Sequence, residues 1–359
     1  MDFEFSSEQE MLRESVRGFL ATRSPLTAVR AGYDAPASDP AVWSGLVELG
    51  VVGLLTGEDH GGAGMGMVDA AVVLEELGRA VCPAPYVSSA IGAVSLADDE
   101  LLPRLADGSA IGTTAVFEEG ARYGWHSPET RATRSAGGWV LDGTKVHVAD
   151  ACTANVVLVT ALDDDGRLGV FATENFEAST TPSVDGSRKQ GRITCSTSAA
   201  RRIDTAVPAE VAVARTLDRL GVATAVDGVG AAQIALELSV DYAKERVQFD
   251  KPIGAFQAVQ HLCADMLRTV ELARAAGYYA CWAIDDASPE EAHRAATLAR
   301  AFAADAFPQL GGTAIQVFGG IGFTWEHDIH LYYKRLLSTS LTLGTTSDHL
   351  EELATIAID

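Results

Sequence analysis

The carboxy-terminal part of the sequence contains four long segments in which apolar residues recur at helical spacing, and these segments constrain the fold most strongly. They cover residues 217–246, 256–284, 289–318 and 347–359. Helices joined by short connections lie antiparallel, because each buries its apolar face against its neighbours. The spacing therefore predicts an antiparallel four-helix bundle, and we place this domain at residues 209–359.

The middle of the sequence, residues 111–208, has a different pattern. Its apolar segments are short and rich in β-branched and aromatic residues, and turn signals such as Gly137-Gly138 and Asp142-Gly143 separate them. Short strands with close turns are typical of an antiparallel sheet. We therefore predict a middle antiparallel β domain.

The amino-terminal residues 1–110 indicate helices. Ser7 and Glu10 form a capping-box pattern in front of an apolar series at helical spacing. The order of helices, strands and helices places the chain in the α+β class. We expect a helical domain at 1–110, a β domain at 111–208 and the bundle at 209–359.

Charge and cysteine content exclude several classes of function. The formal net charge of −22 predicts a surface that repels nucleic acid and anionic lipid. No apolar run approaches the ~20 residues of a membrane span, and the acidic, polar first ten residues are unlike a signal peptide. The five cysteines are scattered without CxxC spacing, which argues against disulfides and zinc. We expect a cytoplasmic protein without a metal site.

Three short motifs follow one another in the carboxy-terminal part. The first is Arg-Val-Gln-Phe at 246–249, followed by Pro252, Gly254, Phe256 and Gln257. The second is Gln-Val-Phe-Gly-Gly-Ile-Gly-Phe at 316–323, and the third is Leu-Gly-Thr at 343–345. A guanidinium suits a pyrophosphate, and glycines let a backbone approach a ligand closely.

In order and spacing these motifs resemble the signatures R-x-x-F-G-x-x-x-x-x-F-Q, Q-x-F-G-G-x-G-F and E-G-T of the acyl-CoA dehydrogenase family. The resemblance implies an acyl-CoA substrate, electron-transfer flavoprotein as acceptor, and FAD held mainly by a neighbouring subunit of an oligomer. Arg246 is the candidate for the pyrophosphate, and Gln316 with Gly319 and Gly320 for the adenylate end. The candidate cofactor residues are Arg246, Gln248, Phe249, Gln257, Gln316, Gly319 and Gly320.

The sequence departs from the family at the catalytic base. Leu343 stands where the family has a glutamate, and Leu220 stands where some relatives have it instead; neither takes a proton. Leu220, Thr224 and Asp227 are spaced i, i+4 and i+7, so they share one helical face. Asp227 is therefore the candidate base, since an aspartate in an apolar helix is desolvated. The alternative is that Asp227 is solvent-exposed or forms a structural ion pair.

The sheet domain also lacks groups that the family uses around the flavin ring. Phe117 and Tyr123 replace hydroxyl-bearing residues of the family loop, His147 replaces its aromatic shield, and Ala149 replaces another hydroxyl. Each lost donor costs roughly 1–3 kcal/mol in a buried site. We therefore expect this chain to hold its own flavin ring weakly.

The retained and lost groups lead to three interpretations. The first is an acyl-CoA dehydrogenase, either a catalyst in a homotetramer or the partner subunit that completes the flavin site of a heterotetramer. The second is a flavin-dependent monooxygenase on the same fold, since such relatives also lack the glutamate. The third is a structural subunit without a cofactor.

Overall fold

The computed structural model describes residues 5–120 and 124–358. Their α-helices are α1 (Ser7–Arg23), α2 (Leu26–Ala31), α3 (Pro40–Glu48), α4 (Met67–Arg79), α5 (Val94–Leu96), α6 (Leu102–Ala106), α7 (Ala209–Glu245), α8 (Gln257–Asp286), α9 (Pro289–Phe318), α10 (Ile329–Ser340) and α11 (Thr346–Ile358). Their strands are β1 (Gly112–Ala115), β2 (Arg131–Ser135), β3 (Gly138–Ala149), β4 (Val156–Leu162), β5 (Leu168–Thr173), β6 (Glu177–Thr180), β7 (Gln190–Arg202), β8 (Val247–Gln248) and β9 (Lys251–Pro252). The helix–sheet–helix order predicted from the sequence is confirmed.

The chain divides into two compact units, each built from more than one stretch of sequence. The first unit comprises residues 1–30, 71–82 and 221–359, and the second comprises 31–70 and 83–220. Helix α7 begins in the second unit and continues into the first. The three consecutive domains predicted from the sequence remain a prediction. Contacts group residues that are distant in sequence, whereas a sequence pattern can group only consecutive residues.

The first unit is a bundle with one more carboxy-terminal helix than predicted. Helices α7, α8, α9 and α11 match the four apolar-periodic segments, and α10 is additional. Ile329, Tyr332 and Leu336 of α10 are buried in the same core as Val270 and Phe307. Polar residues interrupt the apolar pattern of α10, so its sequence resembles that of a loop between helices. In the structure, one face of this helix is buried in the core.

The amino-terminal helix α1 begins with a capping box, one residue earlier than predicted. The Ser6 hydroxyl accepts from the backbone N–H of Gln9, and the Gln9 side chain accepts from that of Ser6. Ser7 and Glu10 fit the same S-x-x-E/Q pattern, so the sequence offers two registers for this cap. The structure corrects the prediction to the first of them.

Helices α4 and α7 pass each other at two glycines. A Cβ built on Gly78 lies 1.8 Å from the carbonyl oxygen of Asp227, and one built on Gly230 lies 1.9 Å from that of Glu75. Real Cβ atoms do not approach backbone oxygens so closely. Only glycine therefore allows the two backbones to approach to this distance.

Substituting Gly230 by alanine should destabilise the chain, because the new methyl group meets a backbone that cannot rotate away. Overpacking of this kind costs about 1–3 kcal/mol, which urea unfolding measures. Gly312 in α9 is the matched control, since a Cβ there meets nothing within 4 Å. Gly312→Ala should stabilise the chain by about 0.5–1 kcal/mol through helix propensity. Equal effects of the two substitutions would contradict the close approach.

The second unit is organised around a seven-stranded sheet whose order is β1-β4-β2-β3-β7-β5, with β6 on β7. Strand β4 also pairs with β5, so five of the strands form a closed cycle of pairings. Most pairings are antiparallel, as predicted, but β1 and β2 both run parallel to β4. The sheet is therefore mixed, because the β2–β3 hairpin separates β1 and β4 in sequence and the chain returns in the same direction. Leu141, Val157, Phe171 and Ile193 lie in its core.

Candidate functional site

The residues predicted to contact a dinucleotide lie where α7 and α9 end and α8 begins. The rings of Tyr242 and Phe318 stack with their centroids 4.5 Å apart. Tyr242 is one turn before Arg246, and Phe318 directly precedes Gly319. This stacking therefore brings together the ends of the helices that carry the first and second motifs. Six of the seven predicted residues belong to these two helix ends and the hairpin beside them, and Gln257 begins α8. All seven are solvent-exposed.

The first motif forms a short hairpin between α7 and α8. Val247 pairs with Pro252 and Gln248 with Lys251, so Phe249 and Asp250 occupy the turn. Both turn residues have positive φ, +53° and +61°. Aspartate tolerates this conformation better than most residues, which explains how Asp250 can replace the family's glycine. Phe249 is 85% exposed, so the hairpin presents an aromatic ring to solvent.

The guanidinium of Arg246 is available to a ligand. Arg246 is exposed, and its side chain contacts no carboxylate in residues 5–120 and 124–358. Its backbone is fixed, because its N–H donates to Tyr242 and its carbonyl accepts from Ile253. A positioned arginine without an internal partner can bind an anionic group.

The glycine turn after α9 is open. Gly319 has a φ of +64°, and Cβ atoms built on Gly319 and Gly320 would meet nothing within 4 Å. Gln316, one turn earlier on α9, is exposed on the same helix end. The turn therefore leaves room for a ligand against its backbone. The guanidinium of Arg246 and the side-chain amide of Gln316 are donors of the kind that could bind the pyrophosphate and the adenylate of a dinucleotide.

The two positions at which the family carries its base are occupied by half-buried leucines. Leu343 has a φ of +63°, which is uncommon for a leucine, and Gly344 follows with +147°. Leu220 packs on Gly92, whose built Cβ lies 3.0 Å from a methyl carbon of Leu220. Neither leucine can accept a proton.

Asp227 is buried in an ion pair. Its side chain is 2% exposed, and Nη1 of the fully buried Arg335 lies 3.3 Å from Oδ1. Nη2 of Arg335 donates to the carbonyl of Cys82 at 3.0 Å. Protonating Asp227 would leave a buried guanidinium without its counter-charge, which is costly. The base role stays a prediction, and this geometry favours the structural alternative.

Of the sheet-domain positions that differ from the family, Phe117, His147 and Ala149 are among the described residues, whereas Tyr123 lies outside them. Phe117 is 7% exposed, so its ring packs inside the unit. His147 is exposed with a φ of +55°, and Ala149 is half-buried. None of these three side chains carries the hydroxyl that the family uses.

A buried ion pair lies beside the segment that follows β1, and no sequence pattern indicates it. The ammonium of Lys145, 1% exposed, donates to Glu118 at 2.7 Å and to Thr160 at 3.1 Å. Burial lowers the pKa of Lys145 to about 8. Burial alone would raise the pKa of Glu118, but hydrogen bonds from Lys145 and Thr130 lower it to about 2. Glu118 also accepts from the backbone N–H groups of Glu129 and Thr130, so its carboxylate ties the segment after β1 to the segment before β2.

The described part of the chain shows neither a cluster of metal-ligating side chains nor a helix suited to cross a membrane. No group of three or more His, Cys, Asp or Glu side chains there is arranged to hold a metal ion. None of the described helices combines the length and apolar composition that a membrane crossing requires.

Comparison with known proteins places both helical regions in one family. Residues 6–109 match the model of the acyl-CoA dehydrogenase N-terminal domain, and residues 209–357 match that of the C-terminal domain. The chain is 33% identical over 353 residues to acyl-CoA dehydrogenase IpdE2 of Mycolicibacterium smegmatis, covering 97% of this chain and 98% of the relative.

Two solved structures have similar folds. A Tcur3481–Tcur3483 steroid ACAD variant superposes with a TM-score of 0.88 at 30% identity, over 98% of both chains. The ChsE4–ChsE5 complex from Mycobacterium tuberculosis gives a TM-score of 0.87 at 24% identity, over 100% of this chain and 99% of the other, which supports the fold alone. The chain therefore belongs to the acyl-CoA dehydrogenase family of flavin-dependent oxidoreductases, without a glutamate at either position where the family places its base.

Proposed function

We propose that this chain is the partner subunit of a heterotetrameric acyl-CoA dehydrogenase and completes an FAD site whose base and ring pocket belong to the other subunit. The carrying observation is a contrast within the chain. Arg246 and the open turn at Gly319 and Gly320 remain available for a dinucleotide, whereas Leu343 and Leu220 replace the proton acceptor.

The residues at the bundle end would hold the FAD tether. Arg246 binds the pyrophosphate through its guanidinium fork, and Gln316 donates to the adenylate end above the glycine turn. Gln248, Phe249 and Gln257 line the hairpin side. The bound flavin supplies a hydride acceptor for the β-carbon of the thioester.

The names of the relatives support the assembly and the substrate class. The superposed structures include a two-protein steroid ACAD that is 30% identical to this chain. We therefore infer an acyl-CoA thioester of lipid or steroid catabolism as substrate, electron-transfer flavoprotein as acceptor, and the cytoplasm as the location. A homotetramer in which each chain holds its own flavin is the alternative that the first experiment distinguishes.

That experiment is the flavin-to-chain ratio of the purified chain, alone and co-expressed with a second acyl-CoA dehydrogenase subunit encoded beside its gene. We expect colourless protein alone and about one flavin per two chains in the complex. One flavin per chain together with turnover in the lone chain would overturn the proposal. A colourless, inactive complex would favour the structural subunit without a cofactor.

The role of Arg246 is tested in the same complex. Arg246→Ala should weaken flavin binding by about 10- to 100-fold, since a hydrogen bond to a charged group contributes about 1.5–3 kcal/mol. Equilibrium dialysis against free FAD measures the change. Arg268 of α8 is the control, because it is 70% exposed and, among the described residues, pairs only with Asp265 of its own helix. Arg268→Ala should leave flavin binding unchanged, and an equal loss in both variants would contradict a contact at Arg246.

A further inference from the structure

A cleft of about 440 Å³ lies within the second unit, at the start of β7. It is formed by residues 33–36, which follow α2, and by residues of the segment 180–190, which joins β6 to β7. Ligand-binding pockets usually measure about 300–1,000 Å³. None of the motifs at the bundle end and neither of the base positions contributes to this cleft.

The two segments that form the cleft are fixed to each other by close contacts. A Cβ built on Gly186 would lie 2.5 Å from both the carbonyl oxygen and a ring carbon of Tyr33, so only glycine lets the loop pack against this residue. The hydroxyl of Tyr33 donates to the carbonyl of Val184 at 3.4 Å. The backbone N–H of Thr181 donates to the carbonyl of Gln190 at 2.9 Å. The cleft is therefore a built concavity and not a gap between loosely packed loops.

Lys189 brings a buried positive charge to the cleft. It is 9% exposed and belongs to the lining. Its Nζ donates to the carbonyl oxygens of Gly32 at 2.8 Å and Tyr33 at 3.0 Å, and no carboxylate of the described residues lies at ion-pair distance from it. An ammonium has three N–H donors, so one remains for an acceptor in the cleft. Buried charges are normally paired, and a ligand in the cleft can supply the counter-charge.

The described lining of the cleft carries two cations and one carboxylate. Lys189 and Arg188 supply the positive charges, and the carboxylate is that of the exposed Asp34. Hydroxyl groups lie on the β6 side of the lining, at Thr180, Thr181 and Ser183. Cations and hydroxyl donors together match an oxyanion better than an amine.

Two carboxylates near Lys189 lie outside the lining and are already hydrogen-bonded. Asp185 is fully buried and accepts from the backbone N–H and the hydroxyl of Ser187. Asp150 accepts from the hydroxyl of Ser88 at 2.6 Å. Burial lowers the pKa of Lys189, and the carboxylates around it offset this effect only in part. The ammonium therefore keeps a net desolvation cost, which an anion bound in the cleft would reduce.

We propose that this cleft binds a phosphomonoester, with one phosphate oxygen on Nζ of Lys189 and the others towards Arg188 and the hydroxyl groups of the β6 side. A phosphate offers three strong acceptor oxygens, and lysine binds it as a point charge. A carboxylate offers only two oxygens to the same donors. The cleft shares no residue with the FAD contact or the base positions, so its occupancy is independent of the proposed heteromeric flavin site.

Isothermal titration of the purified full chain with glycerol 3-phosphate, glycerate and glycerol tests this site. The three probes have similar hydroxylated carbon chains and differ in the head group. Glycerol 3-phosphate should bind most tightly, and Lys189→Met should weaken its binding by about tenfold or more, the usual effect of losing one hydrogen bond to a charged group. Lys244→Met is the control, since that lysine is 70% exposed, and should leave the affinity unchanged. Equal or tighter binding of glycerate or glycerol, or unchanged affinity in Lys189→Met, would overturn the proposal.

Two tryptophan variants locate the binding. Ala35→Trp fills the cleft from an exposed position of its lining and should abolish binding of glycerol 3-phosphate. Ala264→Trp, at an exposed alanine of α8, is the matched control and should change nothing. Binding that survives Ala35→Trp places the ligand elsewhere and rejects the cleft. This pair keeps the test decisive if Lys189→Met, which also loses two carbonyl contacts, does not fold.

Discussion

Replacing Arg335 with methionine should lower the free energy of unfolding by about 3–5 kcal/mol, the usual cost of removing one partner of a buried ion pair. The guanidinium is fully buried, and it lies against the equally buried carboxylate of Asp227. Methionine fills the space but leaves that carboxylate without its counter-charge. It also removes the donor to the Cys82 carbonyl. Urea unfolding followed by circular dichroism measures the loss.

A double variant separates charge burial from packing. Arg335→Met with Asp227→Leu removes both charges and should recover most of the lost stability, because an apolar pair of similar volume can replace a buried ion pair. Lys244→Met is the control, since its pair with Asp241 is about 70% exposed on both sides. Exposed pairs contribute about 0–1 kcal/mol. An Arg335→Met loss no larger than that of Lys244→Met would show that the buried pair is not a stabilising contact.

The same double variant addresses the chemistry of Asp227. If the carboxylate is structural, a complex containing the stable double variant should keep its turnover of acyl-CoA. A turnover that disappears while stability and flavin content persist would instead support the base role predicted from helical spacing.

The sequence located Asp227 on a helical face but could not identify its partner. Helical spacing is a local property, whereas Arg335 follows 108 positions later. It lies in α10, which the sequence did not predict as a helix because polar residues interrupt its apolar pattern. The same limit applies to Lys145 of β3 and Glu118 of the loop after β1, which are 27 positions apart in sequence. Patterns of apolar residues report which side of an element is buried, and they do not report which charged residues meet there.

The motifs were more informative at the bundle end. Arg246 and Gly319 are functional candidates because of their residue type and order, and the structure leaves both accessible. Such motifs can be recognised from residue type and order, because their role does not depend on a partner elsewhere in the chain.

Replacing Lys145 with methionine should destabilise the second unit by about 3 kcal/mol at neutral pH, since Glu118 then loses its buried counter-charge. Arg192→Met is the control, because its pair with Glu119 lies at the surface, with the two side chains 41% and 76% exposed. It should change stability by less than about 1 kcal/mol. Urea unfolding of both variants measures the difference.

The Lys145→Met deficit should depend on pH in a defined direction. The pKa of Glu118 is about 2 in the folded chain against an ordinary value of 4.5, so the unfolded chain binds more protons between these values. The stability from this carboxylate is therefore complete above about pH 4.5 and is lost as the pH falls towards 2. Without Lys145 the folded carboxylate binds protons more readily, so the variant loses less stability in acid. The gap between wild type and Lys145→Met should narrow from pH 5 to pH 3, and a constant gap would mean that the pair does not set the ionisation of Glu118.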